Sequence, residues 1–220
     1  MGLQVFYEKY AESSVAQVDS KKVMAIARHF LKPPVLDVGC FFGDKTKELS
    51  KWLEADGCDI SRNAIKGAAK KYGGLVFFAC DFEKPGLRLP KRYNSIFAAE
   101  VIEHMLEPGA FLKNCFASLN SGGILLLTTP NVACLMNRLR LLAGDPSGLG
   151  GIGHVSFFNP KSIAREAEKA GFEILLVEGY NVGSSSQKAM RRTLRRVFQA
   201  LSILRPVGFS EGTILVAKKP

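Results

Sequence analysis

Three carboxylates, Asp37, Asp59 and Asp81, stand in or just after short aliphatic runs, and glycines accompany the first of them. The run Val35-Leu-Asp-Val-Gly-Cys-Phe-Phe-Gly-Asp44 puts Gly39 where the chain can turn sharply and a ligand can approach the backbone without meeting a Cβ. Asp59 follows Gly39 by 20 residues, the spacing at which an acid reaches a ribose hydroxyl pair. Asp81 closes a third run, where a carboxylate can accept a hydrogen bond from an adenine amine. Together these residues outline a nucleoside pocket.

The kind of nucleoside follows from what is missing. A dinucleotide fingerprint G-x-G-x-x-G needs glycine at 39, 41 and 44, and only Gly39 qualifies. Asp44 would also set like charge against a pyrophosphate. No G-K-[ST] follows the turn, which excludes a P-loop. A cofactor with no phosphate and a positive centre suits this acidic set, and S-adenosylmethionine has both properties.

Such residues need elements that bring them to one edge. Apolar runs predict strands at 34–39, 54–60, 75–80, 93–100, 123–129, 173–180 and 212–217. Helices are predicted at 44–53, with Asp44 as N-cap, and at 62–72, 108–119, 131–142 and 160–170. The alternation, with runs as aliphatic as Ile124-Leu-Leu-Leu127, implies an α/β fold. It reads as a single Rossmann-like domain, a mostly parallel seven-stranded sheet with helices on both faces. Ligands in such sheets sit at the carboxyl ends of the strands, near the reversal of strand order, which directs attention to 39–44, 59–62, 81–83 and 100–104.

VLDVGCFFGDKT, GCDIS, CDFEKP, FAAEVIEHM, GGILLLTTPN and GHVSFFNPKSI with EKAGFEI run in this order over about residues 35–178. In that order they resemble the motifs of class I S-adenosylmethionine-dependent methyltransferases of the small-molecule type. The glycine turn departs from the family's G-x-G-x-G, because Phe41 holds the middle position. Phe41 either points away from the cofactor or narrows the methionine end of the pocket. The resemblance implies that Asp37, Gly39, Cys40 and Gly43 shape the turn under the methionyl moiety. It further implies that Asp59 binds the ribose with Ile60 on the adenine, and that Asp81 and Phe82 contact the adenine edge and face. Glu100 and Val101 would line the loop under the sulfonium, and Tyr10 would cover the methionine end. For each acid the alternative is a strand-end residue bonding local backbone N–H groups.

Methyl transfer requires alignment of a nucleophile with the methyl carbon and exclusion of water, and a base only when the nucleophile must lose a proton. The candidates are Glu103 and His104, which follow the fourth strand, and His154, which ends the glycine-rich loop Gly144-Asp-Pro-Ser-Gly-Leu-Gly-Gly-Ile-Gly153. Each histidine could instead anchor its own loop. His29 falls in an N-terminal helix and reads as structural. Neither the histidines nor the five scattered cysteines are spaced as metal ligands, so no metal is expected.

At 220 residues, with 47 % hydrophobic and 23 % charged residues, the chain is an ordinary globular domain rather than a disordered one. No run approaches the roughly 18 apolar residues of a membrane span. The start lacks the features of a secretory signal, so a reducing cytoplasm is expected. The net charge of +10 is concentrated between residues 188 and 210, where six basic residues meet no acidic one. There Met190, Leu194, Val197, Leu201 and Leu204 recur at helical spacing opposite Lys188, Arg191, Arg192, Arg195 and Arg196. This predicts an amphipathic helix that either covers the sheet or meets an anionic membrane. Nucleic acid fits less well, since no aromatic ladder accompanies the arginines.

The expected organisation is an N-terminal cap (1–33), a cofactor-binding core (34–182), a basic helical insertion (183–210) and a last strand (211–220). Methyl transfer to an oxygen or nitrogen of a small or a lipid- or saccharide-linked acceptor is the leading function. A non-catalytic S-adenosylmethionine-binding module and an RNA methyltransferase are the alternatives. The oligomeric state is not legible.

Overall fold

In the computed structural model, which describes residues 20–146, 151, 153–181 and 209–220, seven strands form one sheet. They are β1 (Val35–Val38), β2 (Ala55–Asp59), β3 (Phe77–Ala79), β4 (Tyr93–Ala99), β5 (Leu119–Pro130), β6 (Glu173–Tyr180) and β7 (Gly212–Lys218). Their spatial order is β3-β2-β1-β4-β5-β7-β6. The pairs from β3 through β5 are parallel, and β7 runs antiparallel to both of its neighbours. The expected mostly parallel α/β sheet is what forms.

Alternation along the strands splits the apolar residues between two faces. Val35, Phe97, Leu126 and Val216 pack on one face with Val23, Met24 and Ala27 of α1 (Ser20–Phe30) and Leu49 of α2 (Asp44–Leu49). Leu36, Ile96, Leu125 and Leu215, one residue away in each strand, pack on the other. They meet Phe111 and Leu112 of α4 (Pro108–Ser118) and Ile163 and Ala167 of α6 (Pro160–Lys169). Two further helices, α3 (Arg62–Lys71) and α5 (Leu135–Leu142), complete the described elements. Helix α6 starts at a full capping box, with Asn159 accepting from Ser162 N–H and the Ser162 side chain accepting from Asn159 N–H.

Boundaries differ from the sequence expectation for local reasons. Gly43, with φ of 78°, caps α2, and Asp44 lies in its first turn instead, paired with Lys71 at 2.7 Å. The helix stops at Leu49 rather than residue 53, where Lys51 N–H and Trp52 N–H turn back only three residues, to the Glu48 and Leu49 carbonyls. Helix α5 begins four residues later than expected, since Asn131 bridges to Phe158 and sends its N–H to the Glu211 carbonyl. His29 is exposed on α1, against Phe30. Tyr10 and the basic segment 188–204 lie outside the described residues. Among the described residues, no helix is long and apolar enough to cross a membrane.

Phe97 is fully buried where α1 meets the sheet. Phe97→Ala should therefore lower stability by about 3–5 kcal/mol in urea denaturation, through lost burial and the cavity left behind. A loss below about 1 kcal/mol would mean that this face is not a packed core.

Candidate active site

The strand order turns over between β1 and β4, so the loops leaving these two strands diverge and open a crevice at their carboxyl ends. Gly39 stands at its floor with φ of 71°, and a Cβ there would lie 2.5 Å from Val101 Cγ2. Only glycine permits both the turn and this approach. The Gly39 and Cys40 N–H groups both donate to the Cys58 carbonyl, at 2.8 and 3.0 Å, which docks the β1 turn onto β2. Phe41 adopts φ of 50° and donates its N–H to Asp59 Oδ2 at 2.9 Å, while Ser61 N–H donates to Asp59 Oδ1 at 2.8 Å. Each Asp59 oxygen thus accepts one backbone bond and keeps a lone pair for another donor. The Phe41 ring lies edge-on to Phe42, with centroids 4.4 Å apart.

Across the crevice, Glu100, like Phe41, lies in the left-handed region, with φ of 56°. Its N–H donates to the Thr128 carbonyl at 3.1 Å, and its Oε1 accepts from the hydroxyls of Thr128 and Tyr180. Tyr180 ends β6, two strands away from β5, and reaches Glu100 because Gly212 of β7 offers no Cβ beneath its ring. Glu103, in the 3-10 turn Ile102–His104, is 2 % exposed; its Oε2 accepts from Thr129 at 3.2 Å and its Oε1 has no partner. Burial pushes both carboxyls above the usual range, and the charge of Glu100 adds to the effect on Glu103.

The same turn anchors the residues that follow His154. Val155 and Ser156 donate their N–H groups to the Glu103 carbonyl at 2.9 and 3.0 Å, and the Ser156 hydroxyl donates to the Met105 carbonyl. His104 and His154, 50 residues apart in the chain, consequently meet edge-on with ring centroids 4.9 Å apart. His104 Nδ1 faces the Gly153 carbonyl at 3.0 Å, and His154 Nδ1 accepts from Gly151 N–H at 3.1 Å. Burial lowers the pKa of His104, and burial with His104 nearby lowers that of His154 to about 4, so both rings are neutral near pH 7. Glu103, His104 and His154 offer donor atoms that all lie within 4.8 Å of one another. Linear spacing, which spoke against metal ligands, could not reveal this cluster.

The remaining sequence candidates divide by position. Ile60 is half-buried next to Asp59, and Asp81 is exposed beyond β3, accepting from Glu83 N–H at 2.9 Å. Val101 is buried against Gly39. Gly43 packs beneath the Phe77 ring, where a Cβ would lie 2.7 Å from it. The Phe82 side chain is buried beside Phe111, with centroids 5.9 Å apart. The Cys40 thiol is buried at the β1 turn, and burial pushes its pKa up. Thr128, Thr129 and Tyr180 were missed; the threonines sit in the GGILLLTTPN run, but nothing in sequence links Tyr180 to Glu100.

Asp37 lies inside β1, 2 % exposed, and accepts from the Thr46 hydroxyl at 2.6 Å. None of the ion pairs among the described residues involves Asp37, Asp59, Glu100 or Glu103. A crevice bordered by partly desolvated acids without cationic partners, over a turn with no Cβ at its floor, fits a ligand carrying hydroxyls and a positive centre. S-adenosylmethionine meets that description. Burial raises the pKa of Asp37 to about 7, against 3.8 for an ordinary aspartate. The folded chain therefore holds this proton more tightly than the unfolded one, and the associated stability is lost as pH rises from about 4 to about 7. Asp37→Asn removes that dependence. Its stability relative to the parent should improve by a few kcal/mol over this range in ligand-free urea denaturation at stepped pH. A constant difference would place the Asp37 titration near the unfolded value.

A family model described as a methyltransferase domain matches residues 7–177. Over 101 residues the chain is 33 % identical to the ubiquinone biosynthesis O-methyltransferase of Bradyrhizobium diazoefficiens, covering 44 % of this chain and 40 % of that protein. The Idiomarina loihiensis protein of the same name is 25 % identical over 66 % of this chain and 63 % of its own length. The chain thus matches less than two thirds of either relative. In fold it is similar to magnesium protoporphyrin IX methyltransferase from Synechocystis, solved with bound S-adenosylhomocysteine. The TM-score is 0.63 at 17 % identity, over 99 % of this chain and 95 % of that one.

Proposed function

This chain belongs to the methyltransferase domain family, and on that premise we propose that it moves the methyl group of S-adenosylmethionine to a small or a lipid- or saccharide-linked acceptor, at an oxygen or nitrogen. The observation that carries this reading is the set of acids at the β1/β4 crevice that form no ion pair among the described residues. S-adenosylmethionine supplies a methyl carbon on a sulfonium, whose positive charge makes the leaving group. In this reading Asp59, already fixed by two backbone N–H groups, accepts from the ribose hydroxyls, and exposed Asp81 accepts from the adenine amine. The Gly39 turn gives the methionyl part access to the backbone. Glu103, His104 and His154 stand on the acceptor side and handle its proton, which a hydroxyl nucleophile must lose. The name of the curated relatives, O-methyltransferase, supports oxygen as that nucleophile. Tyr10 remains a candidate cover for the methionine end.

Loss of one charge-assisted hydrogen bond pair at Asp59 should cost about 1.5–3 kcal/mol, or roughly ten- to a hundredfold in affinity. Calorimetry of S-adenosylmethionine with Asp59→Ala measures it, and unchanged affinity in a folded variant would remove Asp59 from the site. Binding without turnover on any acceptor would instead favour a non-catalytic module.

The basic stretch 188–204 supports a peripheral membrane contact in a cytoplasmic protein, since each arginine near an anionic bilayer adds about 1 kcal/mol. Sedimentation should show binding to anionic but not neutral liposomes, weakened by charge reversal at Arg191 and Arg195. Indifference to both vesicle types would return the segment to an ordinary solvated cover, and steeply salt-dependent RNA binding would favour a nucleic-acid acceptor.

A further inference from the structure

We propose that Glu103, His104 and His154 form a binding site for a divalent cation of the first transition row. The ion's role rests on the methyltransferase reading; its binding does not. One donor atom from each residue lies within 4.8 Å of the others, and Glu103 supplies a carboxylate oxygen that is buried yet unpartnered. A buried oxygen of this kind is costly unless something fills its place, and a cation does so. The other Glu103 oxygen is held by the Thr129 hydroxyl, which fixes the carboxylate's orientation.

The imidazoles are arranged in the same sense. His104 turns Nδ1 to the Gly153 carbonyl, the bond by which metal-ligating histidines are set in the tautomer that binds through Nε2. An ion held at about 2.0–2.2 Å from each donor needs them closer together than 4.8 Å. His154 is the member that can close this gap. It is half-exposed at the end of the glycine-rich loop, and its Nδ1 bond to Gly151 N–H is one that a turn of the ring exchanges. Two imidazoles and one carboxylate suit zinc, iron(II), cobalt or manganese better than the all-oxygen sites of calcium. The cysteines play no part, since Cys40, Cys58, Cys115 and Cys134 are buried elsewhere and Cys80 lies beyond β3.

Three protein ligands leave coordination positions open. An acceptor hydroxyl in one of them would be acidified by the ion, passing its proton to solvent water, and held in place at the same time, so that its oxygen bonds the methyl carbon as S-adenosylhomocysteine leaves. This deepens the proposed reaction toward acceptors with an oxygen that can ligate a metal. The Glu103, His104 and His154 side chains then act as ligands rather than as separate bases.

The test uses the full chain, freed of metal by chelator and titrated with Co²⁺ alone while visible absorption is followed. Saturable binding without the charge-transfer band of thiolate ligands is expected, with displacement by Zn²⁺. His154→Ala, a half-exposed loop position, should weaken Co²⁺ binding roughly tenfold or more, as should Glu103→Gln with its fold verified by circular dichroism. Absent binding, a thiolate band, or equal affinity in His154→Ala would overturn the site. Calorimetry with S-adenosylmethionine on the unmodified chain separates the two readings. Cofactor binding without Co²⁺ binding removes the ion and spares the methyltransferase assignment, whereas Co²⁺ binding without cofactor binding supports the ion site and overturns that assignment.

Discussion

Gly39 and Val101 touch at the point where the strand order reverses, and no side chain fits between them. The rest of the crevice hangs on this approach. With the β1 turn held against the β4 exit, Phe41 is driven to a positive φ and its N–H is aimed at Asp59. Glu100 is driven to a positive φ on the opposite wall. Each such non-glycine residue costs roughly 1–3 kcal/mol, and each is compensated by a specific bond: Phe41 N–H to Asp59, Glu100 N–H to the Thr128 carbonyl. Strain is thus concentrated where a ligand would bind, and the two-faced core supplies the stability that tolerates it.

Electrostatics follows the same geography. Asp37, Asp59, Glu100 and Glu103 are all shifted upward by burial, but their environments oppose that shift to different degrees. Backbone N–H groups support the ionised form of Asp59, and two hydroxyls support that of Glu100. Glu103 has a single hydroxyl and a neighbour of like charge, and its carboxyl is pushed well above the ordinary range. A positive ligand relieves all four at once, since an opposite charge favours the ionised form of each. The antiparallel strand β7 matters here. It brings its first residue, Gly212, to the edge where β4, β5 and β6 end, directly beside Tyr180, whereas a parallel β7 would place its last residues there.

The amino-acid sequence by itself determined the fold class and directed attention to the carboxyl edge of the parallel strands. Strand and helix periodicities are local, and aliphatic runs such as Ile124-Leu-Leu-Leu127 declare buried strands wherever they occur. The acid 20 residues after a glycine turn is legible for the same reason, because one βαβ unit sets that spacing. Boundaries were less legible, since the ends of α2 and α5 depend on which backbone groups find partners elsewhere, as Asn131 does at Phe158 and Glu211. The packing of Phe82 against Phe111 was likewise not legible beside Asp81, since it depends on a helix far along the chain. Only the tertiary structure decided that Tyr180 holds Glu100, and that His154 crosses 50 residues of chain to meet His104 and the unsatisfied oxygen of Glu103. Those pairings arise from the strand order and from two N–H bonds to one carbonyl, contacts between distant residues that leave no periodicity in the chain.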